Sequence, residues 1–477
     1  MRPAYDSDTI RAAEAPLLAS LPDGALMQRA AVGLAVVCAQ LLGRAYGAHV
    51  VVLAGSGNNG GDALYAGAWL ARRGARVVAV PAGPSLHDGG RAALLAAGGR
   101  MVADSEAGQA VASADLILDG LVGIGATGAL RPDAANLVTL LDSSAAILVA
   151  VDVPSGVDAS TGRVAGAAVR ADVTVTFGAW KPGLFVDPGA SYCGSIELVD
   201  VGLGLPPSRV RVLDDAGVRL LLPSPTGDVN KYSRGVLGVA AGSDRYPGAA
   251  VLCVSGALAA GAGMVRYAGG SGVTERVLDH FPEVVRAEDV AGAHVQAWVV
   301  GSGLGDGDDA GRAVTEVLAA GVPTVVDADG LAVVKDRPEL LRGGGAVVLT
   351  PHAGELSRLT GEDRGSIEAD RLRAARAAAE RFGAVVLLKG STTVIASPEG
   401  EVRINTTGSP WLGTAGTGDV LAGAIGAFLA QGLSPLDAAT AGAYLHGRAG
   451  QLASAGDVPL RSGTLATHWA DAERSVR

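Results

Sequence analysis

Short apolar runs that end abruptly at a glycine or an aspartate recur along this chain, and they constrain its fold more than any other feature. In the first half, His49–Ala54 runs into GSGNNGGD, Ala114–Asp119 into GLVGIGATGAL, and Ala145–Asp152 into VPSGVDASTG. Val173–Phe177 is a further strand and leads to Trp180-Lys181-Pro182-Gly183. In the second half, Val236–Ala240, Trp298–Gly301, Pro323–Asp327, Val347–Thr350 and Val385–Leu388 repeat the scheme. Brief apolar strands alternating with helical patterns call for parallel sheets covered by helices on both faces. In open sheets of that kind ligands sit beyond the carboxyl ends of the strands, which is where the glycine loops and acids lie. The expected fold class is α/β, with two three-layer domains and mainly parallel sheets. Residues 203–229 carry prolines at both ends and no long periodic run. The boundary is therefore expected near 211, giving domains 1–211 and 212–477.

The most chemically informative stretch is Asn405–Phe428, NTTGSPWLGTAGTGDVLAGAIGAF. Glycines Gly413, Gly416 and Gly418 precede a helical apolar pattern, so backbone N–H groups and the positive end of a helix dipole can hold an oxyanion without a basic side chain. Asp419 at the same turn has two readings. It can cap the helix, or it can take a proton from a hydroxyl while the amides steady a phosphoryl group under attack.

Composition removes several classes. A net charge of −10 argues against general nucleic-acid or membrane-surface binding. The three cysteines, Cys38, Cys193 and Cys253, are far apart and fit a reducing cytoplasm. The N-terminus carries acids and lacks the apolar core of a signal peptide. Pro247–Val265 is uncharged but rich in Ala and Gly, which suits a helix packed inside a domain better than a membrane span. Gly55-x-Gly57-x-x-Gly60 matches the dinucleotide fingerprint formally, but the next strand ends Val-Ala-Val-Pro-Ala-Gly without the acid that such a site needs. G-x-x-x-x-G-K-[ST], H-E-x-x-H and G-x-S-x-G do not occur. Lysine supplies four of 38 basic residues, and Lys181, Lys231 and Lys389 lie in motif-like stretches where a compact ammonium is useful. Asp158 reads as a turn cap, and His446 as a structural histidine.

GNNGGD, DGLVGIGATG, VDVPSGVDASTG and F-x-x-W-K-P-G, in this order, resemble the NAD(P)H-hydrate epimerase domain, with its Rossmann-like sheet. The resemblance covers almost all of residues 1–205. It implies that Asn58, Asn59, Gly60, Gly61 and Asp62, together with Gly123, Ile124, Gly125, Ala126, Thr127, Gly128, Ala129 and Asp152, contact a hydrated nicotinamide nucleotide. It also implies a potassium ion held by Asn59, Asp119 and Ser155, with Asp152 moving protons as the hydrated ring opens and recloses at C6. Ala63 departs from the family's more usual glycine.

The second half is similar to the ribokinase-like family through GS-x-x-x-PGAA, G-x-GLG, DADGL, TPHAGE, LKGSTT, N-x-TG and GTGDVLAG, over about 212–470. TPHAGE with LKG points within it to ADP-dependent NAD(P)H-hydrate dehydratase. Implied nucleotide contacts are Lys389, Gly390, Ser391, Thr392, Thr393 and Gly418, and implied substrate contacts are Ala250, Gly303, His352 and Asp419. Magnesium is expected with the nucleotide, Glu355 being one candidate holder. Ser302 and Asn230-Lys231-Tyr232 depart from the family's G-P-G-L-G and H-K-G. His352 alone reads either as a satisfied loop histidine or as a ligand contact, and its neighbours favour the latter. The expected activity is repair of hydrated NADH or NADPH: epimerisation at C6 by the first half and ADP-driven dehydration by the second, Asp419 serving as base and AMP and phosphate being released. The alternative is a ribokinase-like vitamin or sugar kinase carrying a non-catalytic front module. A cytoplasmic homo-oligomer without nucleic-acid or membrane partners is expected.

Overall fold

The computed structural model describes every residue except Pro84, Pro225, Thr226, Asp228 and Val229, and of Asp104 only the backbone. Residues 225, 226, 228 and 229 belong to the expected linker, and that part of the expectation lies outside the described residues. Two compact units emerge, Pro3–Ser208 and Arg209–Arg477 together with Met1–Arg2. The break thus falls before 211, and the first two residues join the second unit, for a physical reason. Val210–Val212 is a strand in register with Val402–Ile404, and the Met1 ammonium lies 2.8 Å from Asp214, which also caps the helix Asp215–Arg219.

In the first unit seven strands run parallel in the order Arg100–Met101, Arg76–Pro81, His49–Ala54, Leu116–Gly120, Ile147–Val151, Val173–Phe177, Ser195–Val199. Alternation along one strand shows why both faces need cover. Val50, Val52 and Ala54 enter one apolar cluster, whereas Val51 and Leu53 enter another. Chain order reverses between His49–Ala54 and Leu116–Gly120, so the loops leaving those two strands flank the crevice where such sheets bind ligands.

The second unit orders its strands Val210–Val212, Val402–Asn405, Thr393–Ala396, Val385–Leu388, Val347–Leu349, Thr324–Val326, Ala297–Val300, Val236–Ala240, Met264–Tyr267, Val285–Arg286. Thr393–Ala396 runs antiparallel to both neighbours, and the other pairings are parallel. The reversal falls between Val236–Ala240 and Ala297–Val300. Helices Pro247–Ala259 and Thr417–Ala430 pack backbone to backbone. A Cβ at Gly256 would stand 2.0 Å from the Val420 carbonyl oxygen, and one at Gly423 1.9 Å from that of Cys253. Only glycine fits at such a crossing, and this contact fixes the start of the second helix against the sheet. The uncharged stretch from Pro247 is accordingly a 13-residue helix followed by a separate strand. Among the described residues one helix, Ala25–Leu42, is long and apolar enough to cross a membrane. Its Leu26, Ala30, Ala31, Leu34, Ala35 and Cys38 are buried in the unit.

Candidate functional site

Each unit gathers its expected residues at strand ends. In the first, Asn58–Asp62 forms the first turn of the helix Asn58–Ala71. Gly55 and Gly60 let the loop fold tightly, since added Cβ atoms would meet the Leu121 and Gly55 carbonyl oxygens at 1.9 and 2.1 Å. The Asn59 amide donates to the carbonyls of Val122 (2.8 Å) and Val151 (2.9 Å). This ties the helix start to the loop after Leu116–Gly120 and to the end of Ile147–Val151. Asp119 is fully buried and accepts from the Ser155 hydroxyl (2.6 Å) and amide (2.8 Å). Burial pushes it up to about 6, against the lowering effect of those hydrogen bonds. The Ser155 hydroxyl also accepts from the Val122 amide at 3.1 Å. Among the described residues no Lys or Arg pairs with Asp119. A buried carboxylate lacking a countercharge and bonded to the Ser155 hydroxyl, with Asn59 tied to the adjoining Val122 carbonyl, is an oxygen-rich group that suits a hard monovalent cation.

Asp152 follows its strand with φ 69°, a left-handed backbone that non-glycine residues adopt only where surroundings enforce it. Its carboxylate accepts from the Phe177 amide (3.0 Å), the Thr176 hydroxyl (3.2 Å) and the Lys181 ammonium (2.6 Å). Lys181 is 1% exposed, and its remaining donors reach Thr176 and the Phe177 and Ala179 carbonyls. The lysine is therefore the buried countercharge of Asp152. Loop residues Gly123–Ala129 are largely open to solvent, apart from Ile124, which packs toward Tyr5, Ile10 and Ala179. Asp158 accepts from the Ser160 and Thr161 amides, both at 2.9 Å, and is the turn cap expected of it.

In the second unit Gly416, at φ 89°, is the cap of Thr417–Ala430, which places Asp419 third in the helix rather than at the cap. Among the described residues the Gly418 and Asp419 amides make no hydrogen bond within the protein. They are the free donors of a helix start. Lys389 Nζ lies 3.4 Å from where a Gly418 Cβ would stand. That ammonium bonds Asp327 at 2.9 Å and lies 3.5 Å from Glu355. Burial works against its charge, but Asp327, Glu355 and Asp419 outweigh burial and hold its pKa above the ordinary lysine value. Asp327 is further tied to the hydroxyls of Thr350 (2.7 Å) and Ser302 (3.1 Å). Asp419 has no such lysine contact. Burial, then the negative charge of Asp327, raise it to about 7, with Ser302 and Lys389 opposing.

His352, Lys389, Gly390, Ser391, Thr393 and Gly418 line one cavity of about 760 Å³, along with His446 and Thr417. Thr392 is buried beside it. Ala250 and Gly303 stand elsewhere, around the turn after Val236–Ala240. A Cβ on Gly242 would lie 2.8 Å from that of Ala250, and Gly303 accepts from Ser243 at 2.8 Å. Ser302, next to Gly303, reaches Asp327 and acts on Asp419, so the two groups of residues meet at the Asp419 carboxylate. His352 caps the helix Ala353–Thr360, its Nδ1 accepting from Gly354 (3.0 Å) and Glu355 (3.2 Å), while half of its ring remains exposed toward the cavity. His352 is thus satisfied as a helix cap and also lines the cavity. His446 is buried, shifted down to about 4 by burial, and bonds the Thr417 carbonyl at 2.9 Å.

Three contributors escape sequence reading. Arg371 bonds the carbonyls of Leu388 (3.2 Å), Lys389 (2.8 Å) and Thr392 (3.4 Å), shaping the Lys389–Thr393 loop from a helix that looks merely charged. Asp327 is visible as a strand-end acid, but its pairing with Lys389 spans 62 residues. Glu14, on the helix Ser7–Ser20, has its pKa raised by burial and then by Asp152, with Lys181 and Arg11 opposing, so it belongs to the first site.

Known proteins match both halves. The family described as YjeF-related protein N-terminus matches residues 23–183, and that described as NAD(P)H-hydrate dehydratase matches 237–472. A bifunctional NAD(P)H-hydrate repair enzyme of Mycobacterium leprae is 47% identical over 98% of this chain and 98% of its own. Its counterpart in Mycobacterium tuberculosis is 49% identical over 92% and 91%. Among solved structures, an ADP/ATP-dependent NAD(P)H-hydrate dehydratase from Bacillus subtilis, co-crystallised with ATP and magnesium, is 30% identical with a TM-score of 0.51, covering 55% of this chain and 98% of its own. Taken with the two sheets and their strand-end sites, these matches put the chain in the family of bifunctional NAD(P)H-hydrate repair enzymes.

Proposed function

We propose that this chain restores hydrated NADH and NADPH, with residues 1–211 interconverting the R and S forms at C6 and residues 212–477 dehydrating the S form with ADP. The observation that carries the reading is Asp419. It is a carboxylate titrating near neutrality, one turn into a helix whose free amides and neighbouring Lys389 face a cavity sized for a nucleotide. Asp419 takes the proton of the C6 hydroxyl, and that oxygen attacks the terminal phosphoryl group of ADP, releasing AMP. The amides of Gly418 and Asp419 hold the transferring charge. The ring nitrogen then expels phosphate, and loss of a C5 proton re-forms the double bond. Lys389, Gly390, Ser391, Thr392, Thr393 and Gly418 hold the nucleotide, while Ala250, Gly303 and His352 hold the substrate. Magnesium enters with the nucleotide phosphates. Among the described residues no group of three or more His, Cys, Asp or Glu forms a cage for it, which agrees with the usual binding of this ion through phosphates and one or two carboxylates.

In the first unit Asp152 takes the C6 hydroxyl proton, the helix start Asn58–Asp62 and the loop Gly123–Ala129 hold the nucleotide, and Asn59, Asp119 and Ser155 hold potassium. Bound there, potassium would supply a fixed positive charge beside the buried Asp119 carboxylate. We place the protein in the cytoplasm, as a homo-oligomer that binds neither nucleic acid nor membrane. Three buried free thiols support the compartment, and Val32 and Val36, exposed on Ala25–Leu42, offer a subunit contact. The test is absorbance recovery from racemic hydrated NADH supplied with ADP. Complete recovery, with AMP formed only when hydrated substrate is present, is expected. Recovery of half would remove the epimerase, and AMP formation from a vitamin or sugar instead would replace the dehydratase with a kinase.

A further inference from the structure

Opening a hydrated nicotinamide ring moves two protons. Cleaving the C6–N1 bond turns the C6 hydroxyl into an aldehyde, so one group must accept the hydroxyl proton while another protonates the departing nitrogen. Asp152 can do only one of these at a time. Its charge is matched by Lys181 at 2.6 Å, which makes it the acceptor. The second group is unassigned by anything above, and the first unit contains a candidate with unusual surroundings. Asp62, in the first turn of Asn58–Ala71, is 9% exposed, and its Oδ1 has no hydrogen-bond partner. A buried ionised carboxylate without a partner is costly, whereas a protonated one is not. Burial, then Asp152 and Glu14, raise its pKa well above the carboxylate range. Glu14 arrives from the helix Ser7–Ser20, which lies before residue 23, where the matched family segment begins. That helix docks on the glycine loop: Ile10 shares an apolar cluster with Ile124, and the Arg11 guanidinium stands 2.5 Å from the position of a Gly125 Cβ.

We propose that Asp62 is the general acid of the epimerase site, giving its proton to the ring nitrogen as Asp152 accepts that of the hydroxyl, and that Glu14, on the helix docked against the glycine loop, is a positioning residue acting through Asp62. The inference rests on the epimerase reading above. In the forward step the O–H electron pair forms the C=O bond and the C6–N1 pair goes to nitrogen, which takes the Asp62 proton. After rotation about C5–C6, nitrogen attacks the other face of the aldehyde, its proton returns to Asp62, and the oxygen recovers the proton held by Asp152. No further reactant is needed. Two carboxyl groups with opposite protonation in one pocket is a recurring way of running acid and base chemistry together. The charged groups acting on Asp62 are Asp152 and Glu14; Lys181 and Arg11 act in turn on Glu14, and the His87 ring packs on the neighbouring Gly61.

The experiment measures interconversion of the two epimers by the full chain without ADP, from pH 5 to 9, corrected for the uncatalysed rate. Asp62→Asn should slow it roughly hundredfold or more while leaving ADP-driven dehydration of the S form intact. Glu14→Gln should keep most of the rate at neutral pH but move its alkaline fall to lower pH by about half a unit or more, because one negative neighbour of Asp62 is gone. A merely structural Glu14 would change the rate without moving the profile. Asp62→Asn interconverting at more than a tenth of the parent rate, or an unmoved profile in Glu14→Gln, overturns the proposal while the epimerase reading stands. No interconversion by the parent chain removes both.

Discussion

Each unit sets a lysine against a buried aspartate, but the pairs leave the reacting carboxylate in opposite states. In the first unit Lys181 bonds Asp152 itself, at 2.6 Å and nearly sealed from solvent. In the second, Lys389 bonds Asp327, and Asp419 is left beside that pair with only partial compensation. On the proposed mechanism the second arrangement gives a base that is easily protonated and matched in strength to a hydroxyl near neutral pH, with the lysine beside the helix-start amides where a phosphate would bind. The first gives a carboxylate bonded directly to its countercharge, and the proposed mechanism therefore assigns the proton donor to another group. The same two residue types thus do different work because the lysine's reach differs by one neighbour.

The harshest way to break this contrast is to remove the base. Asp419→Asn should lower the dehydration rate by roughly a thousandfold and leave ADP affinity within a few-fold, because the amides and the Lys389 loop that hold the nucleotide are untouched. Steady-state rates together with calorimetric ADP binding check it. A variant that keeps a tenth of the parent rate would mean that Asp419 is a bystander and that Asp327 or a bound water is the base.

The two lysines should also differ in what they contribute to stability. Lys181, 1% exposed, is a fully desolvated countercharge, so Lys181→Met leaves Asp152 only the Phe177 amide and Thr176 hydroxyl, a loss of about 3 kcal/mol, and should abolish epimer interconversion. Lys389 is 20% exposed in its side chain, and Asp327 keeps the Thr350 and Ser302 hydroxyls without it. Lys389→Met should therefore cost about 1 kcal/mol, appearing mainly as weaker nucleotide binding. Thermal unfolding of both variants decides the matter, and equal losses would erase the distinction.

Much of this is legible in the sequence because strand-end chemistry is local. His49–Ala54, Arg76–Pro81, Val173–Phe177, Val236–Ala240 and Val385–Leu388 are strands at the expected positions, each a β-branched run bounded by glycine or a charged residue. The hairpin Thr393–Ala396 and Val402–Asn405 lies outside the expected strands, although the Ser-Pro-Glu-Gly between two β-branched runs carries a turn signal. What stays hidden is pairing at a distance. Nothing near Arg371 says that it will bond three carbonyls of another segment, and Glu14 reads as one more surface acid on an Ala-rich helix. Helical periodicity reports which face is apolar, not which polar residue is turned into a site.

A smaller effect separates the two sites by pH. On the proposed mechanism dehydration requires Asp419 as the anion, so its rate should fall about tenfold per pH unit once pH drops below about 7. The same shift has a consequence for stability. The folded state holds a proton that the unfolded chain, with an ordinary aspartate, releases, so stability falls as pH rises from about 4 through about 7. Asp419→Asn removes that penalty. At pH 8 the inactive variant should be more stable than the parent by roughly 1–2 kcal/mol, and at pH 4 the two should converge. Melting curves of the pair across that range test the sign. If Asp419→Asn proved less stable than the parent at pH 8, Lys389 would already satisfy the carboxylate, and the contrast with Asp152 would collapse.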